Sequence, residues 1–273
     1  DLDMTEYDIR EVLPEVFRIP VPLAGNPLKE LNSYLFCGSR ETGKRNLLVD
    51  TGFRTEGCKK ALLEGLAQLD VSMEDTDILL THLHADHSGN APDLIRPGGK
   101  VYISREDYRF MDGTLQEHRS ERFRENGIGE DLLQAMLACT PSRTMAAPLS
   151  FRDYTLLEEG DVIPAGQYML RAIWTPGHTP GHFCFEVCGT GAMLLGDHVL
   201  FDITPNITDW WDVPDSLGDY LRSLDKMNAY PVTLSLPGHR EAGDMKLRIS
   251  QLKEHHEKRL ADCLRIVREL QHD

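Results

Sequence analysis

Four potential metal donors crowd into six residues at His82-Leu83-His84-Ala85-Asp86-His87. Neutral imidazole and carboxylate are the usual nitrogen and oxygen ligands of zinc, and iron and manganese accept them as well. The run just before them, Asp77-Ile78-Leu79-Leu80-Thr81, reads as a β-strand. In extended chain alternate side chains point the same way, so His82 and His84 can reach one ion together. Asp86 and His87 follow where the chain begins to turn and can face a second ion. Ser88-Gly89 then allows a tight turn into a helix, and the expected role of Ser88 is to cap it.

Three more places in the chain repeat the arrangement of a strand, a Gly or Pro turn and a donor. Thr175-Pro176-Gly177-His178-Thr179-Pro180-Gly181-His182 follows the strand Leu170–Trp174, Gly196-Asp197 follows Ala192–Leu195, and Pro237-Gly238-His239 follows Val232–Leu236. Binding and catalytic groups are commonly carried on loops held by a rigid scaffold. An isolated histidine is more often a surface or hydrogen-bonded residue than a ligand; it is the density and placement of these donors that set them apart. The candidate ligands are His82, His84, Asp86, His87, His178, Asp197 and His239.

The elements that must hold these loops can be read from periodicity. Strands are expected at Val16–Val21, Asn32–Cys37, Asn46–Asp50, Asp77–Thr81, Lys100–Ile103, Tyr168–Trp174, His182–Val187 and Ala192–Leu195. Ala61, Leu62, Leu66 and Leu69 recur at helical spacing, Pro92–Ile95 reads as a short helix, and two longer helices run from Leu217 to Met227 and from about Asp244 to Leu270. The last carries Leu252, Leu260, Leu264 and Val267 on one side. Residues 106–148 lack strand character and read as an inserted helical segment. Strands and helices alternate in both halves, which suits one α/β domain spanning residues 1–273.

Composition narrows the function. A net charge of −15 disfavours a nucleic-acid partner, because binding a phosphate backbone relies on Lys and Arg. No apolar run approaches the roughly 20 residues needed to span a bilayer, and the acidic start Asp1-Leu2-Asp3-Met4-Thr5-Glu6 has no signal-peptide character. The six cysteines, Cys37, Cys58, Cys139, Cys184, Cys188 and Cys263, include no Cys-x-x-Cys pair and are expected to be free thiols in a reducing cytoplasm. Oligomeric state is not legible.

At this point the sequence resembles the metallo-β-lactamase superfamily, within it the branch of glyoxalase II-type thioesterases and lactonases. Five ordered motifs carry the resemblance from about Val16 to Arg240: Asp50-Thr51-Gly52, His82-x-His84-x-Asp86-His87, Gly177-His178, Gly196-Asp197 and Pro237-Gly238-His239. It implies a four-layered αββα sandwich with metals at its open edge, here with a helical insertion and a long C-terminal helix. It implies further that His82, His84 and His178 bind one metal, that Asp86, His87 and His239 bind the other, and that Asp197 bridges them. Asp50 would orient ligands rather than bind metal, and His182 would be structural.

The chemistry expected of such a site is hydrolysis. Two divalent cations, zinc first and iron or manganese as alternatives, can share a water and lower its pKa towards 7. Asp86 and Asp197 are the candidate catalytic groups for handling the proton. A small-molecule thioester or lactone is the expected substrate. The alternatives are a compact endoribonuclease or phosphodiesterase of the same fold and a mononuclear iron sulfur dioxygenase. A true β-lactamase fits poorly because the family's β-lactamases lack the bridging aspartate, and a flavin-linked di-iron reductase would need a Glu in the histidine motif. A metal site kept only for stability is the non-enzyme reading. Asp209-Trp210-Trp211-Asp212-Val213-Pro214 serves equally well as an apolar lip for an acyl chain or as core packing. Arg119, Arg122, Arg124 and Arg240 could hold an anion if they converge.

Overall fold

The computed structural model describes residues 8–138 and 144–270. Seven strands form one sheet in the order β1-β2-β3-β4-β5-β6-β7: Arg10–Leu13, Val16–Pro22, Glu30–Phe36, Asn46–Val49, Thr76–Leu79, Val101–Ser104 and Thr155–Leu157. Five form a second in the order β12-β11-β10-β9-β8, comprising β8 Val162–Ala165, β9 Tyr168–Trp174, β10 Phe183–Val187, β11 Ala192–Gly196 and β12 Leu234–Pro237. Strands β1, β7 and β8 were not expected. They are three or four residues long and partly exposed, so they show little of the apolar alternation that marks a longer strand.

The period of two along each strand sorts side chains between layers. In β10, Phe183, Phe185 and Val187 face the core between the sheets, while Cys184 faces outwards. In β11, Ala192 and Leu194 point inwards, and Met193 and Leu195 outwards. From the first sheet, Tyr34, Phe36, Leu47, Val49 and Leu79 enter the same inner core. The sheets therefore pack face to face. The outer face of the first sheet is covered by α1 (Glu56–Gln68) through Leu62 and Leu66 and by α3 (Ala91–Leu94) through Leu94. Two helices cover the second sheet: α7 (Ser216–Asn228) through Tyr220, Leu224 and Met227, and α8 (Met245–Leu270) through Met245, Ile249 and Leu252. The result is the expected αββα sandwich.

Helix α8 outruns the body of the domain. Leu252 is buried, but Leu260, Leu264 and Val267, expected on the same stripe, are each about half exposed. The insertion is helical where it is described: α4 (Arg105–Arg109), α5 (Thr114–Glu125) and α6 (Glu130–Ala138). Cys139 lies outside the described residues; the other five cysteines are free. No helix among the described residues is long and apolar enough to cross a membrane.

Parallel pairing brings the candidate loops to one edge. Strands β4, β5 and β6 run parallel, as do β11 and β12, so the ends of β4, β5, β11 and β12 deliver Asp50, Thr81–His87, Asp197 and His239. Hydrogen bonds join the sheets there. Phe183 N–H donates to Thr81 O (3.0 Å), and Tyr34 Oη and Asn32 Nδ2 both donate to Pro237 O (2.9 and 3.0 Å).

Candidate metal centre

Four of the five candidate histidine ligands, His82, His87, His178 and His239, are fixed by the outward nitrogen. His178 Nδ1 donates to the carbonyl of Asn206 at 2.6 Å, and His239 Nδ1 to the carbonyl of Glu30 at 2.8 Å. His87 Nδ1 donates to Asp50 Oδ2 at 2.7 Å. Asp50 also accepts the backbone N–H and the hydroxyl of Thr81, both at 2.8 Å. The Thr81 oxygen is thereby left as the acceptor for His82 Nδ1, 3.0 Å away. A carbonyl or carboxylate can only accept, so these contacts decide the tautomer: Nε2 of His82, His87, His178 and His239 is left with a lone pair.

Those lone pairs converge. His82 Nε2 lies 3.2 Å from His84 Nδ1, and His87 Nε2 lies 3.2 Å from His239 Nε2. Nε2 of His178 and Oδ1 of Asp197 are buried without a hydrogen-bond partner. His87 Nε2 and His239 Nε2, both left as acceptors by their outward hydrogen bonds, can face each other in a buried site only with a proton or a metal cation between them, whereas His84 Nδ1 can itself donate to His82 Nε2. His82, His84 and His178 form one group whose ligating atoms lie within 4.8 Å of one another, and Asp86, His87 and His239 form another. His82, His87 and Asp197 form a third that overlaps the first two. Asp197 touches both sides, with carboxylate oxygens 3.4 Å from His87 Nε2, 3.5 Å from His178 Nε2 and 3.6 Å from His239 Nε2.

The electrostatics point the same way. Burial, with neighbouring imidazoles, holds His82 far below its usual pKa and His84 at about 3, so both are neutral and free to ligate. His87 goes up instead: burial opposes the shift, but the charges of Asp197, Asp50 and Asp86 prevail. Asp86 is held at about 2, because His87 and His239 outweigh its burial. Three carboxylates among five histidines make a centre that demands positive charge, and divalent cations fit the donor set, the tautomers and the orphaned atoms.

The structure thus brings all seven candidate ligands into one cluster. His182 is engaged at both nitrogens, by Thr175 Oγ1 at 2.9 Å and by the N–H of Asp197 at 3.1 Å, and has no lone pair left for an ion. Ser88 differs from expectation. It sits at the end of the short helix α2 (Ala85–Ser88), and its hydroxyl donates back to the carbonyls of Leu83 and His84 instead of capping a following helix. The reason is the tight turn itself, which leaves those two carbonyls within reach of Oγ.

His84 and Asp86 line a cavity of about 1080 Å³ whose walls include Phe53, Leu83, Phe110, Met111, Leu149 and Trp210. Trp210 stacks near His84, with ring centres 6.1 Å apart, and meets Phe110 edge-on. It is both buried packing and cavity wall, whereas Trp211 stacks on His118 of α5. Arg119 and Arg124 line the cavity, Arg122 pairs with Asp209, and Arg240 turns away to the carbonyl of Pro27.

One residue at the centre had no signal in the sequence. Asp107 is fully buried and accepts hydrogen bonds from Leu83 and Thr179, each next to a candidate ligand, and from Gly181 in the loop that carries His178. Burial pushes its carboxyl up to about 7, and those three donors keep it from rising further. A lone acid in a polar helical stretch looks like any solvated residue.

Comparisons agree with this geometry. Residues 30–239 match the metallo-β-lactamase superfamily. A lactamase-like protein of Aspergillus niger is 28% identical over 263 residues, covering 94% of this chain and 65% of its own length. An atrochrysone carboxyl ACP thioesterase of Paecilomyces divaricatus is 26% identical over 233 residues, covering 85% of this chain and 57% of its own. The chain thus spans less than two thirds of the length of these relatives. The crystal structure of a metallo-β-lactamase family protein from Thermus thermophilus superimposes with a TM-score of 0.80 at 31% identity, over 94% of this chain and 84% of that one.

Proposed function

The chain belongs to the metallo-β-lactamase superfamily, and on that premise we propose that it hydrolyses carboxylic thioesters with the help of two divalent cations, zinc first among them. The observation that carries the reading is Asp197, whose carboxylate lies between the two donor groups and within 3.6 Å of histidines in both. In this reading His82, His84 and His178 would hold one ion, and Asp86, His87 and His239 the other. Asp197 would reach both. When bound, such a pair supplies Lewis acidity at a carbonyl oxygen and a water acidified towards neutral pH.

The chain's own residues do the rest. Asp86 lines the cavity and offers its carboxylate to the proton released as water attacks. Asp50, through Thr81 and directly, keeps His82 and His87 in the ligating tautomer. The apolar wall of Phe53, Phe110, Met111 and Trp210 receives the acyl part of the substrate and keeps bulk water from the reacting carbonyl.

A carbonyl substrate is favoured over a polyanion because, Arg119 apart, the arginines in and beside the cavity are paired with carboxylates. Arg54 pairs with Asp93, Arg122 with Asp209 and Arg124 with Glu130. A thioester is placed ahead of a lactone because relatives of this chain carry the name thioesterase. The test is steady-state kinetics on acyl thioesters, lactones and phosphodiesters, with the metal content of the protein measured alongside. Thioester turnover that follows metal content is the expected result. Cleavage of single-stranded RNA with no thioester or lactone turnover would overturn the reading.

A further inference from the structure

The loops carrying His82 and His84 on one side and His178 on the other belong to different sheets. Beyond the Phe183–Thr81 backbone bond near their roots, the Asp107 side chain spans them. Asp107 Oδ2 accepts from the N–H of Leu83 at 2.8 Å and from the hydroxyl of Thr179 at 2.9 Å, and its Oδ1 accepts from the N–H of Gly181 at 2.6 Å. Leu83 lies between His82 and His84, and Thr179 follows His178 directly.

We propose that Asp107 is a positioning residue that sets the separation between these two loops, and so the geometry of the His82, His84 and His178 group. The proposal rests on the reading of that group as the ligands of one ion. The hydrogen bonds of the Asp107 carboxylate go to the loops that carry these histidines and not to the imidazoles themselves. Asp107 acts through the backbone that carries them, which is how supporting shells tune metal sites.

The geometry leaves little freedom. Asp107 is itself fixed by its N–H donating to Ser104 Oγ, the cap of α4, at 3.0 Å. Gly181 packs so closely that a Cβ there would come within 2.2 Å of Asp107 N and of Ser104 Oγ, so any side chain would push the loops apart. All three groups facing the carboxylate are donors. An ionised aspartate offers acceptors at both oxygens, whereas an asparagine of the same shape must turn its NH₂ towards the Leu83 or the Gly181 N–H. Asp107→Asn is therefore isosteric and still breaks the clamp on one side. The other group is held elsewhere, His87 by Asp50 and His239 by the Glu30 carbonyl.

The experiment is Co²⁺ titration of chelator-stripped wild type, Asp107→Asn and Thr179→Val, followed by absorption spectra and by chelator competition. His84→Ala and His239→Ala assign the two binding steps. Asp107→Asn is expected to weaken the step lost in His84→Ala by about 10–100-fold and to alter its Co²⁺ spectrum, leaving the step lost in His239→Ala unchanged. Thr179→Val removes one of the three hydrogen bonds and should give a smaller loss in the same step; it carries the test if Asp107→Asn does not fold. An unchanged first step in the folded variants overturns the proposal, and so does an equal loss in both steps, which would mark a general structural role. A wild-type chain that takes up no metal would instead bring down the reading of the centre, and this inference with it.

Discussion

Asp50 and His87 stand 37 residues apart in the chain and 2.7 Å apart in space, with His87 Nδ1 donating to Asp50 Oδ2. The same carboxylate orders Thr81, which in turn orders His82. One buried acid therefore fixes a tautomer in each donor group. Asp50 adopts φ of 61°, a left-handed conformation that Asp and Asn tolerate better than most residues. Asp50→Asn should keep the backbone but present an NH₂ where an acceptor is needed. We expect a folded variant that has lost roughly 10–100-fold in metal affinity at both steps. Competition with a chelator measures it, and wild-type affinity at both steps would refute the tautomer argument.

Asp197→Ala should lower metal occupancy at both groups and abolish most activity, since its oxygens lie beside His87, His178 and His239. Elemental analysis alongside turnover separates this from a catalytic role alone. A fully active Asp197→Ala protein with unchanged metal content would show that the residue does not join the two groups.

Trp210→Ala tests the cavity wall. The ring is 4% exposed and packs on Phe110 beside His84, so its loss should cost on the order of 3 kcal/mol of stability. For a thioester with a bulky acyl group KM should rise about tenfold, while an acetyl thioester, which needs less of the wall, should be nearly unaffected. Equal effects on both substrates would place acyl recognition elsewhere.

Thiol chemistry should be sharply site-selective. Burial pushes the Cys184 thiol up to about 12 and Cys37 to about 11, so neither forms much thiolate at pH 8. Cys263 is exposed on α8. Iodoacetamide at pH 8 should modify Cys263 on the folded protein and reach Cys184 only after denaturation, as mass spectrometry of peptides would report. Cys184→Ala should leave turnover close to wild type, since its sulfur faces the helices on the outer side of the second sheet. Rapid labelling of Cys184 in the native protein would contradict the packing of that face.

The sequence went far here for an identifiable reason. Candidate donors cluster locally, at the ends of short, largely apolar strands, and both signals are short-range. The apolar runs of β10 and β11 were legible as strands and the helical period of α1 as a helix, but β11 is apolar at every position, so only the packed structure separated its inner from its outer face. Short, half-exposed β1, β7 and β8 carried no such pattern. On α8 a continuous stripe was legible, but where the body beneath it ends was not.

Sequence alone determined which residue types stand at the sheet edge; it could not determine which of them meet, or by which atom. Those are matters of contact between distant segments. The pairing of β5 with β4 and of β11 with β12 brings Asp50, His87, Asp197 and His239 together. Hydrogen bonds to Asn206 and Glu30, invisible in any motif because backbone carbonyls have no sequence identity, choose which nitrogen of His178 and His239 faces inwards. Asp107 is the clearest case: its partners lie 24, 72 and 74 residues away, and two of the three are main-chain amides. Only the folded chain, where a buried carboxylate must find donors for both oxygens, shows what that residue does.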